Sequence, residues 1–155
     1  MVAGPAFLLD VNVLLSLVWP FQQHHEKVRA WFVANAARHW ATCPITEAGS
    51  VRLLSNPTVT PEALSVNDAL QLLAANVQHP GHVFWPDNLD LSTSLELCGV
   101  RLQGHRQITD AYLLGLALHH GAHLVTLDAS VAALLPPSAR TATRVIDPLA
   151  GPRRR

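Results

Sequence analysis

The stretch Ile108-Thr109-Asp110-Ala111-Tyr112-Leu113-Leu114-Gly115-Leu116-Ala117-Leu118-His119 is followed by His120-Gly121-Ala122 and then by His123-Leu124-Val125-Thr126-Leu127-Asp128. The first part is rich in helix formers and free of proline, which predicts a helix capped by Thr109 and stopped after His119 by Gly121. The last part is a short apolar run suited to a buried strand. A helix over 109–119 advances roughly 16 Å at about 1.5 Å per residue. A strand over 123–127 returns roughly 17 Å at about 3.3 Å per residue. Asp128 therefore comes back to the edge that Asp110 left.

Working outward, the same unit recurs. Ala6–Leu9 is an apolar run ending at Asp10, and Val11–Val18 reads as a short helix stopped near Trp19-Pro20. His25–Arg38 carries Val28, Trp31, Phe32 and Asn35 at helical spacing. Trp40–Cys43 reads as a second strand, followed by a helix capped by Thr46 that runs to Leu54 and is closed off by Pro57. Pro61 suits the start of a long helix reaching Val77, His82–Trp85 a third strand, and Leu91–Leu97 a helix ended by Gly99. Arg101–Gln107 reads as a polar loop, Ser130–Leu135 as a small helix and Thr143–Ile146 as a last strand. Strands alternating with helices predict an α/β fold, a mainly parallel sheet of about four to five strands with helices on both faces. One domain is expected over residues 1–150, with a basic, mobile tail over 151–155 that ends in Arg153–Arg155.

With 155 residues, 49% hydrophobic and only 14% charged, the chain is long and apolar enough to bury a core, which excludes general disorder. Its apolar runs are too short to span a bilayer, and the N-terminus lacks a basic n-region, so a cytoplasmic location is expected. Cys43 and Cys98 show neither redox nor metal-ligand spacing. A formal net charge of zero excludes a protein that grips long duplex DNA with its whole surface. Any nucleic-acid partner must be held locally. Apart from Lys27 the basic residues are arginines, which suit phosphate.

Four acids stand out: Asp10, Glu47, Asp110 and Asp128 each lie where an apolar strand gives way to a helix, or just inside that helix. In a parallel sheet those positions share one edge, the edge where ligands bind. Carboxylates in apolar frames are costly without a countercharge, and four on one rim imply a divalent metal. Each also has a plainer reading: Asp10 and Asp128 as helix caps, Glu47 and Asp110 as partners of a helix dipole. An all-carboxylate donor set favours Mg²⁺ or Mn²⁺ over zinc. Asp10 and Asp110 are the expected principal ligands, with Glu47 and Asp128 acting directly or through water. Zinc at His119, His120 and His123 is not expected, because Gly121 interrupts the helix and these residues lie at the opposite edge. Arg52, Arg101 and Arg106 are candidates for RNA phosphate contacts, against the alternative of solvated surface charges. Trp19 and Phe21 offer aromatic surface for RNA or protein, or core packing.

The motifs Leu9-Asp10-Val-Asn12, Ile45-Thr-Glu47-Ala-Gly-Ser-Val-Arg-Leu-Leu54, Ile108-Thr-Asp110-Ala-Tyr-Leu-Leu and Val125-Thr-Leu-Asp128 together resemble a PIN domain, in particular the bacterial VapC-type ribonuclease toxins. Each motif is short; their order covers the chain from Phe7 to about Ile146. The resemblance implies a PIN-like α/β/α sandwich and a Mg²⁺- or Mn²⁺-dependent endoribonuclease. Such an enzyme cuts structured RNA, tRNA or rRNA, and leaves a 3′-hydroxyl and a 5′-phosphate. It further implies a cognate VapB-like antitoxin and a homodimer. Asn12 repeats the family's Asp-x-Asn opening and is expected to orient Asp10 or a water, with Thr126 as a second support. Asp10-Val11-Asn12 also resembles the opening of haloacid-dehalogenase-like phosphatases, but these need a second Asp where Asn12 stands and a lysine near the rim. A non-catalytic PIN-like binding module predicts lost acids, and all four are present.

Overall fold

Strands of this chain are only two or three residues long, so the sheet is held by their order and not by their length. In a computed structural model, which describes residues 6–37, 39–99, 102–135 and 145–151, the strands are β1 (Phe7–Leu9), β2 (Trp40–Thr42), β3 (His82–Phe84), β4 (His123–Val125) and β5 (Val145–Ile146). They form one sheet in the order β3-β2-β1-β4-β5, with every neighbouring pair parallel. The helices are α1 (Val11–Val18), α2 (His25–Asn35), α3 (Pro44–Leu54), α4 (Val66–Asn76), α5 (Leu91–Cys98) and α6 (Ile108–His119). The predicted α/β architecture is thus observed, and its sheet is wholly parallel.

Register sorts the strand residues between two cores. Leu8 lies beside Ala41 and Leu124, and these face α5 and α6 together with Leu113, Leu114 and Trp85. Leu9, Trp40 and Val125 face the opposite way, against Val13 and Leu14 of α1 and Val28 of α2. A third cluster, Leu15, Leu54 and Ala69, joins α1, α3 and α4. Gly115 of α6 is where that helix approaches α5 most closely: a Cβ there would overlap the hydroxyl and carbonyl of Ser94.

Several helix boundaries depart from expectation. Cys43, not Thr46, caps α3; Thr46 is its third residue, and its hydroxyl accepts the Cys43 N–H at 3.0 Å. Pro44 takes the first helical position, where the missing N–H costs nothing. Pro61 does not start α4. Glu62 has φ 57°, in the left-handed region, and Ser65 caps the helix by accepting the Asp68 N–H at 3.1 Å. α6 starts at Ile108 directly from a 3-10 turn over His105–Gln107, so Thr109 is not its cap. Gly121, with φ +63°, ends it as expected. α2 stops at Asn35, and the predicted helix after β4 is a 3-10 stretch, Ala129–Leu134. Arg38, Arg101, Thr143 and the tail residues 152–155 lie outside the described residues. Both cysteines are free and buried. No helix among the described residues is long and apolar enough to cross a membrane.

Candidate metal centre

Strand order reverses at β1, since the chain leaves it for β2 on one side and reaches β4 on the other. Ligands of open parallel sheets bind outside the strand ends at such a switch point. Here that point carries Asp10 directly after β1, with Thr126 and Asp128 directly after β4. The Asp10 N–H donates to the Val125 carbonyl at 2.9 Å, which ties the two strand ends together.

Thr126 is the hub of the site. Its buried hydroxyl donates to Asp10 Oδ2 at 2.7 Å, and accepts from Asn12 Nδ2 at 3.2 Å and from the Asp128 N–H at 3.1 Å. Asn12 Oδ1 in turn accepts the Leu127 N–H at 3.1 Å. Asn12 and Thr126 therefore stand where the sequence placed them, bracing Asp10 and the start of the Asp128 segment.

Asp10 is buried and also caps α1, accepting the Val11 N–H at 2.7 Å. Burial pushes its carboxyl above the usual carboxylate range and the nearby Asp128 charge adds to this, while the bonds from Thr126 and Val11 oppose. Asp110, in the first turn of α6, is pushed up to about 6, by burial first and then by the charges of Asp10 and Asp128. Asp128 is exposed and caps the following 3-10 stretch, accepting the Ser130 N–H at 2.9 Å. The capping readings of Asp10 and Asp128 thus hold alongside the clustering one.

Glu47 departs from this group. It lies in the first turn of α3 at the same edge, yet its Oε1 accepts the buried Thr42 hydroxyl at 2.6 Å. The same hydroxyl lies 2.7 Å from His82 Nε2, and the Glu47 charge acts on His82. Asp10, Asp110 and Asp128 feel one another's charge across this edge, whereas Glu47 is bonded to Thr42. Arg52 sits exposed in the last turn of α3, and Arg106 exposed in the turn before α6. Sequence reasoning missed Thr42 and His82, which belong to no motif. It also missed Asp87, which follows β3 at this edge and whose carboxyl burial pushes up despite a bond from Tyr112.

The only ion pair within reach among the described residues is His25–Glu26 at 4.0 Å, so no basic side chain there neutralises the three aspartates. Among the described residues, no group of three or more acidic, imidazole or thiol side chains is close enough together, as they stand, to hold a metal ion. The donor set nevertheless fits a hard divalent cation: oxygen ligands, mutual repulsion that a cation relieves, and openness for retained waters.

Residues 7–134 match the PIN domain family, and the chain belongs to it. Among curated relatives, ribonuclease VapC38 of Mycobacterium tuberculosis is 44% identical over 140 residues, covering 90% of this chain and 96% of that protein. Ribonuclease VapC39 of the same species is 42% identical over 125 residues, with 81% and 90% covered. In fold, the chain is similar to the crystal structure of Mycobacterium tuberculosis VapC20, a sarcin-ricin loop cleaving toxin. The TM-score is 0.62 at 14% identity, over 83% of this chain and 94% of that one. Membership of the family sets aside the phosphatase alternative.

Proposed function

We propose that the protein is a Mg²⁺- or Mn²⁺-dependent endoribonuclease of the VapC kind, the toxin of a toxin–antitoxin pair, which hydrolyses phosphodiester bonds in structured RNA. The observation that carries this reading is the group Asp10, Asp110 and Asp128 at the switch point of the sheet, which no basic side chain among the described residues pairs. Asp10 and Asp110 hold the ion, with Asp128 contributing directly or through water. When bound, the ion neutralises phosphoryl oxygens and activates water. Thr126 and Asn12 fix the Asp10 carboxylate, so its second oxygen is already oriented before metal arrives. Glu47, at the same edge but outside the cluster, orients the attacking water. Arg52, Arg101 and Arg106 contact RNA phosphates. The products carry a 3′-hydroxyl and a 5′-phosphate, and transfer RNA or ribosomal RNA is the substrate class.

Incubating total RNA with the protein tests this reading. Cleavage is expected with Mg²⁺ or Mn²⁺, to stop with EDTA, and to return when the metal is restored. Full cleavage in chelator by protein free of contaminating nuclease would sink the metal-dependent mechanism.

The partner we propose is a VapB-like antitoxin. An apolar cavity of about 210 Å³ lies between α1, α2, α3 and α4, lined in part by Leu14, Leu17, Phe32, Trp40, Leu54 and Leu73. Val33 on its border is 65% exposed. An apolar segment of the antitoxin fits that cavity, and a basic residue beside it reaches the acidic rim. Co-expression with the product of an adjacent antitoxin-like gene is expected to give a stable, nuclease-silent complex. A neighbour that neither co-purifies nor inhibits rules out the toxin–antitoxin pairing and leaves the nuclease assignment standing.

A further inference from the structure

Glu47 is connected to two residues that no motif marks. Thr42 is the last residue of β2 and fully buried; His82 is the first residue of β3, half-buried, with its ring 4.6 Å from that of Trp40. A threonine hydroxyl has one hydrogen. At 2.6 Å that hydrogen goes to the Glu47 carboxylate, which accepts only. The Thr42 oxygen is then left to accept from His82 Nε2 at 2.7 Å, so Nε2 bears a hydrogen. The chain of bonds runs one way: His82 Nε2–H to Thr42, Thr42 O–H to Glu47.

We infer that Thr42 and His82 are positioning residues that hold the Glu47 carboxylate at the active rim, apart from the three-aspartate cluster. This rests on the proposed placing of Glu47 in the nuclease site. The physical reason is repulsion. A fourth carboxylate free to rotate would be drawn towards a bound cation and driven off without one, and its position would follow the metal. Anchored through a buried hydroxyl on a central strand, it keeps one orientation in both states. Among the described residues, no donor bonds the second oxygen, Oε2. Burial lowers the His82 pKa while the Glu47 charge opposes this.

The test uses two pairs of variants in the full-length protein, each pairing a broken link with a conservative one. Thr42→Val keeps shape and loses the hydroxyl; Thr42→Ser keeps the hydroxyl. His82→Phe keeps the ring packing on Trp40 and loses the donor; His82→Gln keeps an N–H at a similar reach. Misplacing a reacting group by about 1 Å costs up to about a hundredfold. Thr42→Val and His82→Phe are therefore expected to lower kcat at least about tenfold with KM nearly unchanged, and the serine and glutamine variants to recover most of it. A second readout needs no metal and no RNA: the His82 Hε2 proton should be visible by NMR as a slowly exchanging resonance in wild type and Thr42→Ser, and lost in Thr42→Val. If Thr42→Val does not fold, the His82 pair decides the matter, since that position is not fully buried. Wild-type kcat in the broken-link variants, or a Thr42→Ser protein as impaired as Thr42→Val, overturns the positioning role. Glu47→Gln separates the two readings. If it cleaves RNA normally, the placing of Glu47 in the site fails and this inference with it; if it is inactive while Thr42→Val is not, only the positioning role fails.

Discussion

Asp110→Asn and Asp10→Asn are each expected to reduce RNA cleavage by about a thousandfold or more, because removing a metal ligand forfeits several kcal/mol of charge stabilisation at about 1.4 kcal/mol per tenfold. The fold should survive. Asparagine caps helices as well as aspartate does, so its Oδ1 keeps the bond from the Val11 N–H, while its Nδ2 replaces the oxygen that accepted from Thr126 and makes that hydroxyl turn to accept instead. Metal-free Asp110→Asn should in fact be more stable than wild type at pH 7.5. The Asp110 carboxyl is pushed from 3.8 in the unfolded chain to about 6 in the fold, so the folded state binds the proton more tightly. Above about pH 6 the wild type therefore carries the full cost of a repelled carboxylate, and it regains stability as pH falls from about 6 towards 4. Because the group is only half-buried, solvent screening leaves about 1 kcal/mol, or roughly 2–4 °C in Tm. The Asn variant lacks this slope. Melting curves between pH 4 and 8 without metal check it; a marked fall in Tm on substitution would show that Asp110 is a structural partner and not a repelled ligand.

Gly115→Ala should be the most damaging single-methyl change in the fold. Alanine ordinarily improves a helix by about 1 kcal/mol over glycine. Here its Cβ would overlap the Ser94 hydroxyl and the Ser94 backbone, and backbone cannot swing aside as a long side chain can. The Ser94 hydroxyl also donates to the Tyr112 carbonyl at 3.0 Å, a bond that the displacement would break. Forced overpacking costs about 3 kcal/mol at the upper end of its usual range, which outweighs the propensity gain. A net loss of about 2 kcal/mol lowers Tm by roughly 4–8 °C, and loss of the buried bond deepens it. Gly104→Ala is the control, since nothing lies within 4 Å of a Cβ there. Equal melting of the two variants would show that α5 and α6 yield more readily than their packing implies.

The helix-then-strand geometry of 108–128 was legible because period and length are local properties: an apolar run returns the chain by a fixed rise per residue. That reasoning put Asp110 and Asp128 at one edge, and the repeated unit put Asp10 there too. Asn12 came into view through its resemblance to the family's Asp-x-Asn opening, not through periodicity, and its bond to Thr126 joins residues 114 apart in sequence. Local chemistry misled at the helix starts. Thr46 has the composition of a cap, but Pro44 shifts the first turn three residues earlier; Pro61 has the composition of a start, but Glu62 adopts a left-handed backbone that no helix contains.

By itself the sequence determined the parallel α/β plan, since it follows from periodicity along one chain, and it set acids at the strand-to-helix junctions of one sheet edge. Only the tertiary structure decided how those acids divide. Asp10, Asp110 and Asp128 repel one another at the junction of β1 and β4, whereas Glu47 turns to a hydroxyl on β2 beside a histidine on β3. A carboxylate's rotamer is chosen by donors on neighbouring strands, and sheet order, not spacing in the chain, makes those strands neighbours.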